Sequence, residues 1–401
     1  MRKILLSTFV MCTHTLIIVA QNMTSSPTSM FGLGEITTGE GGQYGGMGGV
    51  GIALRENNLL NITNPASLTE LQQQHFFFDL GVAGNYQRYS QSGKSSHTLN
   101  GNLNNFTVGC RITPRWYGAI FMAPVSSVGY AITLEQDIAG TNSTTASSLF
   151  EGEGGLSKMG ISTAYQLWKR LSLGTNLSYV GGTITQAETQ GTALDQTSSY
   201  KHTFYADFGL QYKWIIDRER SFVTGLVYGY SQAFKQDNDH TVSSSSTSGS
   251  IEENAKRYRT CLPQFLGLGV SYNTLRWSAT AEYKLIDWSR MESSRSNVKF
   301  KNQHQIKIGG SYTIGNVYKN PIKLLLGTGM SDSYIIIQNQ KATQYYLSTG
   351  LNMGFHNRNS ISLGMKYTGQ MKVSPGRQRE QGVSLFFNIT FAEKTYRAKI
   401  R

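Results

Sequence analysis

The stretch that decides the fold is residues 202–214, HTFYADFGLQYKW, in which apolar and polar side chains alternate. One face carries Phe204, Ala206, Phe208, Leu210, Tyr212 and Trp214, and the other carries Thr203, Tyr205, Asp207, Gly209, Gln211 and Lys213. Successive side chains of a β-strand point to opposite faces, so this pattern predicts a strand between an apolar and an aqueous environment. Residues 277–285, 361–367 and 383–391 alternate in the same way.

Working outward from these segments, the chain from residue 74 onward repeats one unit, an alternating stretch closed by turn-forming residues. The predicted strands are residues 74–89, 98–112, 115–136, 146–167, 170–187, 198–214, 219–234, 256–273, 276–290, 302–314, 322–334, 343–355, 359–371 and 382–391. Bacterial outer-membrane barrels have an even number of antiparallel strands that are apolar outside and polar inside. We therefore predict an all-β protein, a 14-stranded antiparallel transmembrane β-barrel.

The connections and the tryptophans orient this predicted barrel. Every even-numbered strand up to the twelfth ends in a tight polar turn, as periplasmic turns do, and the other strands are predicted to end in longer outer loops. The Ser-rich residues 237–254 form the longest of these loops. Trp116, Trp168, Trp214 and Trp277 lie near the short turns and predict an aromatic girdle at the inner headgroups, while Trp288 is predicted at the opposite rim. A soluble β-sandwich would leave that placement unexplained.

The N-terminus of the chain carries an export signature, and the C-terminus is basic. Residues 1–20 combine Arg2 and Lys3 with an apolar run and a small residue at Ala20, which predicts a signal peptide. No later apolar run is long enough for a membrane-spanning helix. The expected location is therefore the bacterial outer membrane. The basic residues 392–401 form a periplasmic tail, which either lies at the inner headgroups or docks to a periplasmic partner.

The composition excludes several function classes. The net charge of +13 is spread along the chain without a basic cluster, so nucleic acid is not an expected partner. Cys110 and Cys261 are predicted to be separate, lipid-facing strand residues. The histidines show no metal-site spacing, and no serine, histidine and acid group converges on a rim, so we expect neither a metal, nor a cofactor, nor an enzyme.

Residues 21–73 do not alternate, and we predict that they form a partly helical hatch, or plug, in the lumen. Fourteen strands enclose a wider interior than side chains alone would fill. Asn64 and Pro65 suit the N-cap and first position of a short helix that ends near Leu71. Residues 46–51 also fit a dinucleotide fingerprint, but no apolar strand precedes them, so the structural interpretation is preferred.

Several short motifs of the chain resemble the FadL family of outer-membrane transporters for hydrophobic compounds. They are GGMGGVGIA at residues 45–53, NPA at 64–66, and the LPQ at 262–264 that opens an apolar strand ending GVSY at 269–272. The resemblance runs over essentially the whole mature chain and includes the strand count. It implies that the hatch motif Gly48, Gly49, Asn64, Pro65 and Ala66 closes the barrel. It also implies passive diffusion of long-chain fatty acids or aromatic hydrocarbons.

The resemblance further implies that ligands leave sideways through a kink in the third strand. Pro124 cannot donate to a strand ladder, so a kink with a local opening at Pro124, Ser126, Ser127 and Gly129 is physically reasonable. An ordinary bulge at Pro124 is the alternative. The loop predicted at residues 187–197 and the Ser-rich loop are polar, whereas family members that capture ligands use long apolar outer loops.

Charged residues on the polar faces of the strands are expected inside the barrel. Asp207, Glu282, Lys213 and Lys284 are predicted to form a lumen charge network between hatch and wall. A role in ion selectivity is the alternative.

Three functions therefore remain open. The first is transport of a hydrophobic small molecule, with outer-membrane lipid and that ligand as partners. The second is a non-transporting barrel subunit of an outer-membrane machine for secretion or assembly, with other outer-membrane or periplasmic proteins as partners. The third is a general porin.

Overall fold

A computed structural model describes residues 26–37, 41–91, 93–137, 145–244, 247–254, 258–293, 298–337, 340–355, 359–371 and 378–394. The predicted signal peptide, most of the basic tail and the turn at residues 356–358 lie outside these ranges. These described residues contain twenty strands in chain order, and fourteen of them form the wall of the barrel. These fourteen are β2 (His75–Gln91), β3 (Lys94–Arg111), β4 (Trp116–Asp137), β5 (Thr145–Gln166), β6 (Leu171–Gln190), β7 (Ala193–Ile215), β8 (Ser221–Gly229), β13 (Gln264–Asn273), β14 (Trp277–Asp287), β16 (Gln303–Ile314), β17 (Ile322–Ile337), β18 (Gln340–Phe355), β19 (Asn359–Met371) and β20 (Arg379–Lys394).

Each wall strand pairs antiparallel with its neighbours, and β2 pairs with β20 to close the barrel. The predicted fourteen-stranded antiparallel barrel is confirmed. None of the described helices is long and apolar enough to cross a membrane.

The chain ahead of β2 lies inside the barrel in two parts. The first, which we call the N-terminal segment, is residues 26–37, with a 3₁₀ helix at Pro27–Met30 and the two-residue strand β1 (Glu35–Ile36). The second, which we call the hatch body, is residues 41–71, with helix α1 (Gly42–Gly46) and a 3₁₀ helix at Pro65–Glu70. As predicted, Asn64 caps that 3₁₀ helix, because its side chain accepts a hydrogen bond from the Ala66 N–H.

The barrel is much taller on one side than on the other. Strands β4 to β7 have 20 to 23 residues, whereas β8, β13 and β14 have 9 to 11. A membrane crossing needs about 9–11 strand residues. The long strands therefore continue past the membrane as a polar sheet, which we call the tall wall.

Two predictions about the outer loops are wrong, because the residues concerned form strands of the tall wall. Residues 237–254 are not a solvated loop, because β10 (Lys235–Ser244) pairs with β7 and with β11 (Thr247–Asn254). Residues 187–197 are not a loop either, because β6 runs to Gln190 and β7 begins at Ala193. Polar sequences form strands here because the sheet stands clear of lipid and needs no apolar face.

The seventh and eighth strands are also shorter in the wall than predicted. Between β8 and β13 the chain turns inward, and β9 (Gln232–Ala233) pairs with β12 (Cys261–Leu262). Pro263 cannot donate to a ladder, and the apolar side chains of Cys261 and Leu262 are buried inside the barrel instead.

Aromatic residues support the predicted orientation with one exception. Trp116, Trp168, Trp214 and Trp277 are exposed on the outer surface near the short turns. Trp288, predicted at the opposite rim, is 2 % exposed and stacks on Tyr334 inside the lumen, with 4.4 Å between ring centroids. Cys110 and Cys261 are both free, as expected, but Cys261 lies in the interior and not against lipid.

Candidate functional site

The third wall strand, β4, contains a bulge at the predicted kink. Its register with β5 shifts between Pro124 and Ser126, so that Val125 has no partner there. β5 accommodates the bulge with two consecutive glycines, Gly154 and Gly155, which have φ values of +104° and +154°. A Cβ atom at Gly155 would lie 2.4 Å from the Ser126 carbonyl oxygen, so only glycine fits this close approach.

The two wall strands on the other side of the bulge separate. β3 pairs with β4 only from Arg111–Tyr117 to Phe106–Met122, and the described residues of β4 beyond Met122 have no register partner on β3. In the outer half of the wall, β3 and β4 are therefore not paired with each other.

Strand β1 occupies the edge of β4 that β3 leaves. Glu35 pairs with Ser127 and Ile36 with Ser126, and the Thr37 N–H donates to the Val125 carbonyl at 3.0 Å. Farther out, the Ser29 hydroxyl lies 3.1 Å from both the N–H and the carbonyl oxygen of Gly129. All four residues of the predicted kink thus lie in or beside the bulge, and the N-terminal segment contacts this stretch of β4 throughout.

A mostly apolar cavity of about 200 Å³ lies behind the bulge. Its apolar lining includes Leu33, Pro124, Val125, Val180, Phe265 and Trp288, and charged side chains also border it, those of Lys158, Asp207, Glu282, Lys284 and Lys307. Leu33 and Trp288 also belong to a larger cluster of buried apolar side chains, which includes Leu156, Tyr334 and Ile335. The sequence analysis missed this cluster, since its members come from separate strands and β1 is too short to alternate. The inward-facing aliphatic residues Leu156 and Val180 were the available signal.

The hatch body lies deeper in the lumen, where wall side chains hold the backbone of its Gly-rich run. The carbonyl oxygens of Gly46, Gly48 and Gly49 accept hydrogen bonds from the Ser348 hydroxyl at 3.1 Å, the Tyr346 hydroxyl at 2.7 Å and the Lys307 ammonium at 3.0 Å. Gly48 and Gly49 have φ values of +75° and +71°, which favour glycine. Side chains of the wall therefore bind the first half of the hatch motif through its backbone carbonyl groups.

The second half of the motif fits against paired wall glycines. Gly174 of β6 and Gly209 of β7 are register partners. A Cβ at Gly209 would lie 2.1 Å from the Asn64 Oδ1, and one at Gly174 would lie 2.5 Å from the Ala66 nitrogen. Asn64 is fully buried and its side chain donates to the Ile52 carbonyl at 2.7 Å. These glycines let the hatch backbone approach the wall more closely than any side chain would allow.

The charged residues predicted for the lumen do lie there, and two of the four contact the hatch body. The Glu282 Oε1 accepts hydrogen bonds from three consecutive backbone N–H groups, those of Gly51 at 2.7 Å, Ile52, and Ala53 at 3.3 Å. The Lys213 ammonium lies 2.7 Å from the Glu70 carboxylate. Asp207 instead accepts from the Asn176 side chain at 2.7 Å, and the Lys284 ammonium lies 3.9 Å from the centroid of the Phe265 ring.

Glu70, at the base of the hatch body, forms ion pairs with Arg55 of the hatch body and with Lys213 of the wall. Burial favours the protonated form of this carboxyl group, but Arg55 at 2.8 Å and Lys213 favour the carboxylate more strongly and hold the pKa of Glu70 below its usual range. The hatch is thus fastened by an ionised group at neutral pH.

Comparisons with known proteins agree with this architecture. The toluene transporter TbuX of Ralstonia pickettii superimposes with a TM-score of 0.60 at 12 % identity, covering 87 % of this chain and 97 % of TbuX. The toluene transporter TodX of Pseudomonas putida gives 0.59 at 15 % identity, covering 91 % and 100 %. A FadL homologue of Pseudomonas aeruginosa gives 0.57 at 10 % identity, with the same coverage of 91 % and 100 %.

These likenesses show a FadL-type outer-membrane barrel fold, as the sequence motifs implied. No curated protein matches the sequence. A family profile described as BamG matches residues 1–399, and the chain therefore belongs to the BamG family.

Proposed function

We propose that the barrel lets a small hydrophobic molecule pass from its lumen into the membrane through the gap between β3 and β4. One observation carries the proposal: the apolar cavity lies directly behind the bulge at Pro124 and Val125, where β4 has no partner on β3. An apolar solute that enters this cavity is separated from lipid only by the edge of β4 and by β1.

The size of the cavity supports a single-ring or short-chain ligand. A dry apolar cavity of about 150 Å³ holds benzene in an engineered protein core. The cavity here, about 200 Å³, has room for a ligand of that class. The solved structures named as toluene transporters share the fold, which supports the same class of cargo.

Strand β1 closes the gap and would have to move during passage. It contributes two register pairs and the Thr37 N–H bond, whereas the neighbouring β4–β5 ladder runs along the full length of both strands. Each backbone hydrogen bond stabilises by only about 0.5–1.5 kcal/mol net. β1 can therefore leave β4 without unfolding of the wall.

A reversible disulfide between β1 and β4 tests this directly. Ile36 and Ser126 are register partners, and such pairs lie about 4.5–5.5 Å apart between Cα atoms, which suits a disulfide. We expect the variant Ile36→Cys/Ser126→Cys, made in a background with Cys110→Ser and Cys261→Ser and assayed in whole cells whose lipopolysaccharide leaflet slows unassisted entry, to take up toluene when reduced and not when oxidised. Equal uptake in both states would contradict the proposal.

The matched control is a disulfide within the permanent wall. Ser278 of β14 and Ser311 of β16 are register partners whose hydroxyl oxygens lie 2.8 Å apart. Oxidation of Ser278→Cys/Ser311→Cys in the same background joins two strands that never separate, so uptake is expected to stay unchanged. This control separates the effect of fixing β1 from any general effect of oxidant.

The second candidate, a non-transporting subunit of an outer-membrane protein machine, is favoured by the tall wall. Its polar strands exceed the length needed to cross the membrane, and β10 and β11 enlarge it further. Such a sheet offers backbone and polar side chains to another protein. Native mass spectrometry after gentle extraction from the membrane distinguishes the two functions, because stoichiometric partner proteins support the subunit and a lone barrel with a bound apolar compound supports the transporter.

A further inference from the structure

A second cavity lies on the other side of β1, and most of the residues that line it are polar. It measures about 270 Å³, and nine of its lining residues are asparagine or glutamine. The half-buried side-chain amides of Asn85, Gln305 and Gln344 are among them. An amide group offers both donors and an acceptor, so this lining is suited to a ligand that also does both.

The charges around this cavity are balanced, with two lysines and two glutamates, and all four side chains have contacts. Lys307 donates to the Gly49 carbonyl, and the Lys366 ammonium lies 5.3 Å from the centroid of the Tyr346 ring. Glu380 accepts hydrogen bonds from Ser26 at 3.2 Å and Thr28 at 3.3 Å, and Glu35 is the fourth charged residue. The cavity therefore has no excess charge that would select an ionic ligand.

The two cavities adjoin at the N-terminal segment. Ile36, Thr37, Gln305 and Lys307 line both of them. The Thr37 hydroxyl is buried at this junction and has no hydrogen-bond partner among the described residues. A buried hydroxyl without a partner costs about 1–3 kcal/mol, so a ligand atom that bonded it would be favoured.

We propose that the two cavities form one binding site for a neutral amphiphile, a molecule that joins a ring or short acyl chain to an uncharged, hydroxyl-rich head. The apolar part occupies the cavity behind the bulge, and the head meets the amides of the polar cavity past Thr37. This inference rests on the proposed transport function and names its class of cargo. A purely apolar ligand leaves the amides unused, and an anionic head would meet Glu35 and Glu380 as well as Lys307 and Lys366.

Three water-soluble or sparingly soluble probes with one aromatic ring separate these ligand classes: phenyl β-glucoside with a neutral head, benzoate with an anionic head, and toluene with none. Binding is measured by native mass spectrometry and calorimetry on the full barrel in lipid nanodiscs. We expect phenyl β-glucoside to bind at least about ten-fold more tightly than benzoate or toluene, a difference that one or two hydrogen bonds supply.

Variants of the polar cavity sharpen the test. Gln344→Leu and Asn85→Leu are expected to weaken phenyl β-glucoside binding about ten-fold and to leave toluene binding unchanged within about two-fold. Gln196→Leu, an amide of β7 that lines neither cavity, is the matched control and is expected to change neither. Heat-modified gel mobility establishes that each variant is folded.

The outcomes are distinct. If toluene binds as tightly as phenyl β-glucoside and the amide variants change neither, the neutral-head proposal is wrong while the proposed transport function stands. Tightest binding of benzoate overturns the neutral head in favour of an anionic one. Binding of none of the three probes overturns both the amphiphile and the transport proposals.

Discussion

The two parts of the chain inside the barrel are held in different ways. The hatch body is held by side chains of at least five wall strands, including the buried Glu282 carboxylate and the half-buried Lys213 and Tyr346. The N-terminal segment, by contrast, is joined to β4 by a two-residue ladder and by the hydroxyl of Ser29, and to the rest of the lumen by the buried Leu33 and by the Tyr334 hydroxyl, which donates to the Gly34 carbonyl at 2.6 Å. The hatch body therefore has more polar contacts with the wall than the N-terminal segment has.

This difference indicates different roles for the two parts: the hatch body closes the lumen, and the N-terminal segment controls the gap between β3 and β4. Buried polar contacts are expensive to break because each group left behind loses its partner in a dry interior. The two-residue ladder between β1 and β4 has few backbone bonds to break. The hatch body is therefore suited to keep the periplasmic half of the lumen closed, while the N-terminal segment is suited to move.

The largest effect is expected from removing the Glu282 carboxylate. Glu282→Leu leaves the N–H groups of Gly51, Ile52 and Ala53 buried without their acceptor, and we expect the barrel to lose about 3–5 kcal/mol of unfolding free energy. Guanidinium denaturation in liposomes and protease sensitivity of residues 41–71 measure the change. Glu282→Gln is the control, because its amide oxygen still accepts, and its loss should be smaller. Equal losses in both variants would show that the acceptor is not what holds the hatch.

Filling one of the glycine clefts should come next. A Cβ at Gly209 would lie 2.1 Å from the Asn64 Oδ1, so Gly209→Ala forces the capped 3₁₀ helix away from the wall and should cost about 1–3 kcal/mol. At Gly101 the nearest atom to an added Cβ is 3.7 Å away, so Gly101→Ala is expected to change stability by less than about 0.5 kcal/mol. If the two alanines behaved alike, close approach would not explain the paired glycines.

The wall could be predicted from the sequence because membrane and water impose a period of two on every strand. Residues 202–214 are enough to place one strand and its lumen-facing Asp207 and Lys213. The fourteen strands and the cap at Asn64 follow from such local rules. The prediction was wrong where lipid does not impose this pattern, as in the Ser-rich residues of β10 and β11. It was also wrong at Trp288, because tryptophan is typical of an aromatic girdle but this side chain lies in the lumen.

The candidate site could be predicted only in part. Pro124 predicts the bulge because proline lacks a backbone N–H donor. This property belongs to a single residue and can be recognised in the sequence. The pairing of β1 with β4 depends instead on how far β3 departs from β4, and the two cavities depend on residues from many strands. A two-residue strand such as Glu35–Ile36 has no period, so nothing local in the sequence predicts its position.

A smaller effect is expected from pH at the base of the hatch body. Because the folded protein holds the pKa of Glu70 below its usual value, the ion pairs with Arg55 and Lys213 contribute stability above that usual value and lose it as the pH falls through the lowered pKa. We expect hatch stability to fall by on the order of 1 kcal/mol on acidification below about pH 4, after allowance for the partial exposure of the pair. Hydrogen exchange of residues 41–71 against pH measures this, and Glu70→Gln should flatten the profile. Glu219→Gln, in an exposed turn, should leave it unchanged.

The smallest effect on stability, and the most direct test of gating, is expected at the N-terminal segment. Thr37→Pro removes the N–H that donates to the Val125 carbonyl and should weaken the β1–β4 contact by about 1 kcal/mol without changing the unfolding free energy of the barrel. A change of that size makes release of β1 about five-fold more frequent. Amide exchange at residues 34–36 and toluene uptake should therefore both rise. Thr37→Val keeps the N–H and removes only the hydroxyl, so it should leave exchange and toluene uptake unchanged. If Thr37→Pro accelerated exchange without raising uptake, β1 would be a mobile edge but not the gate.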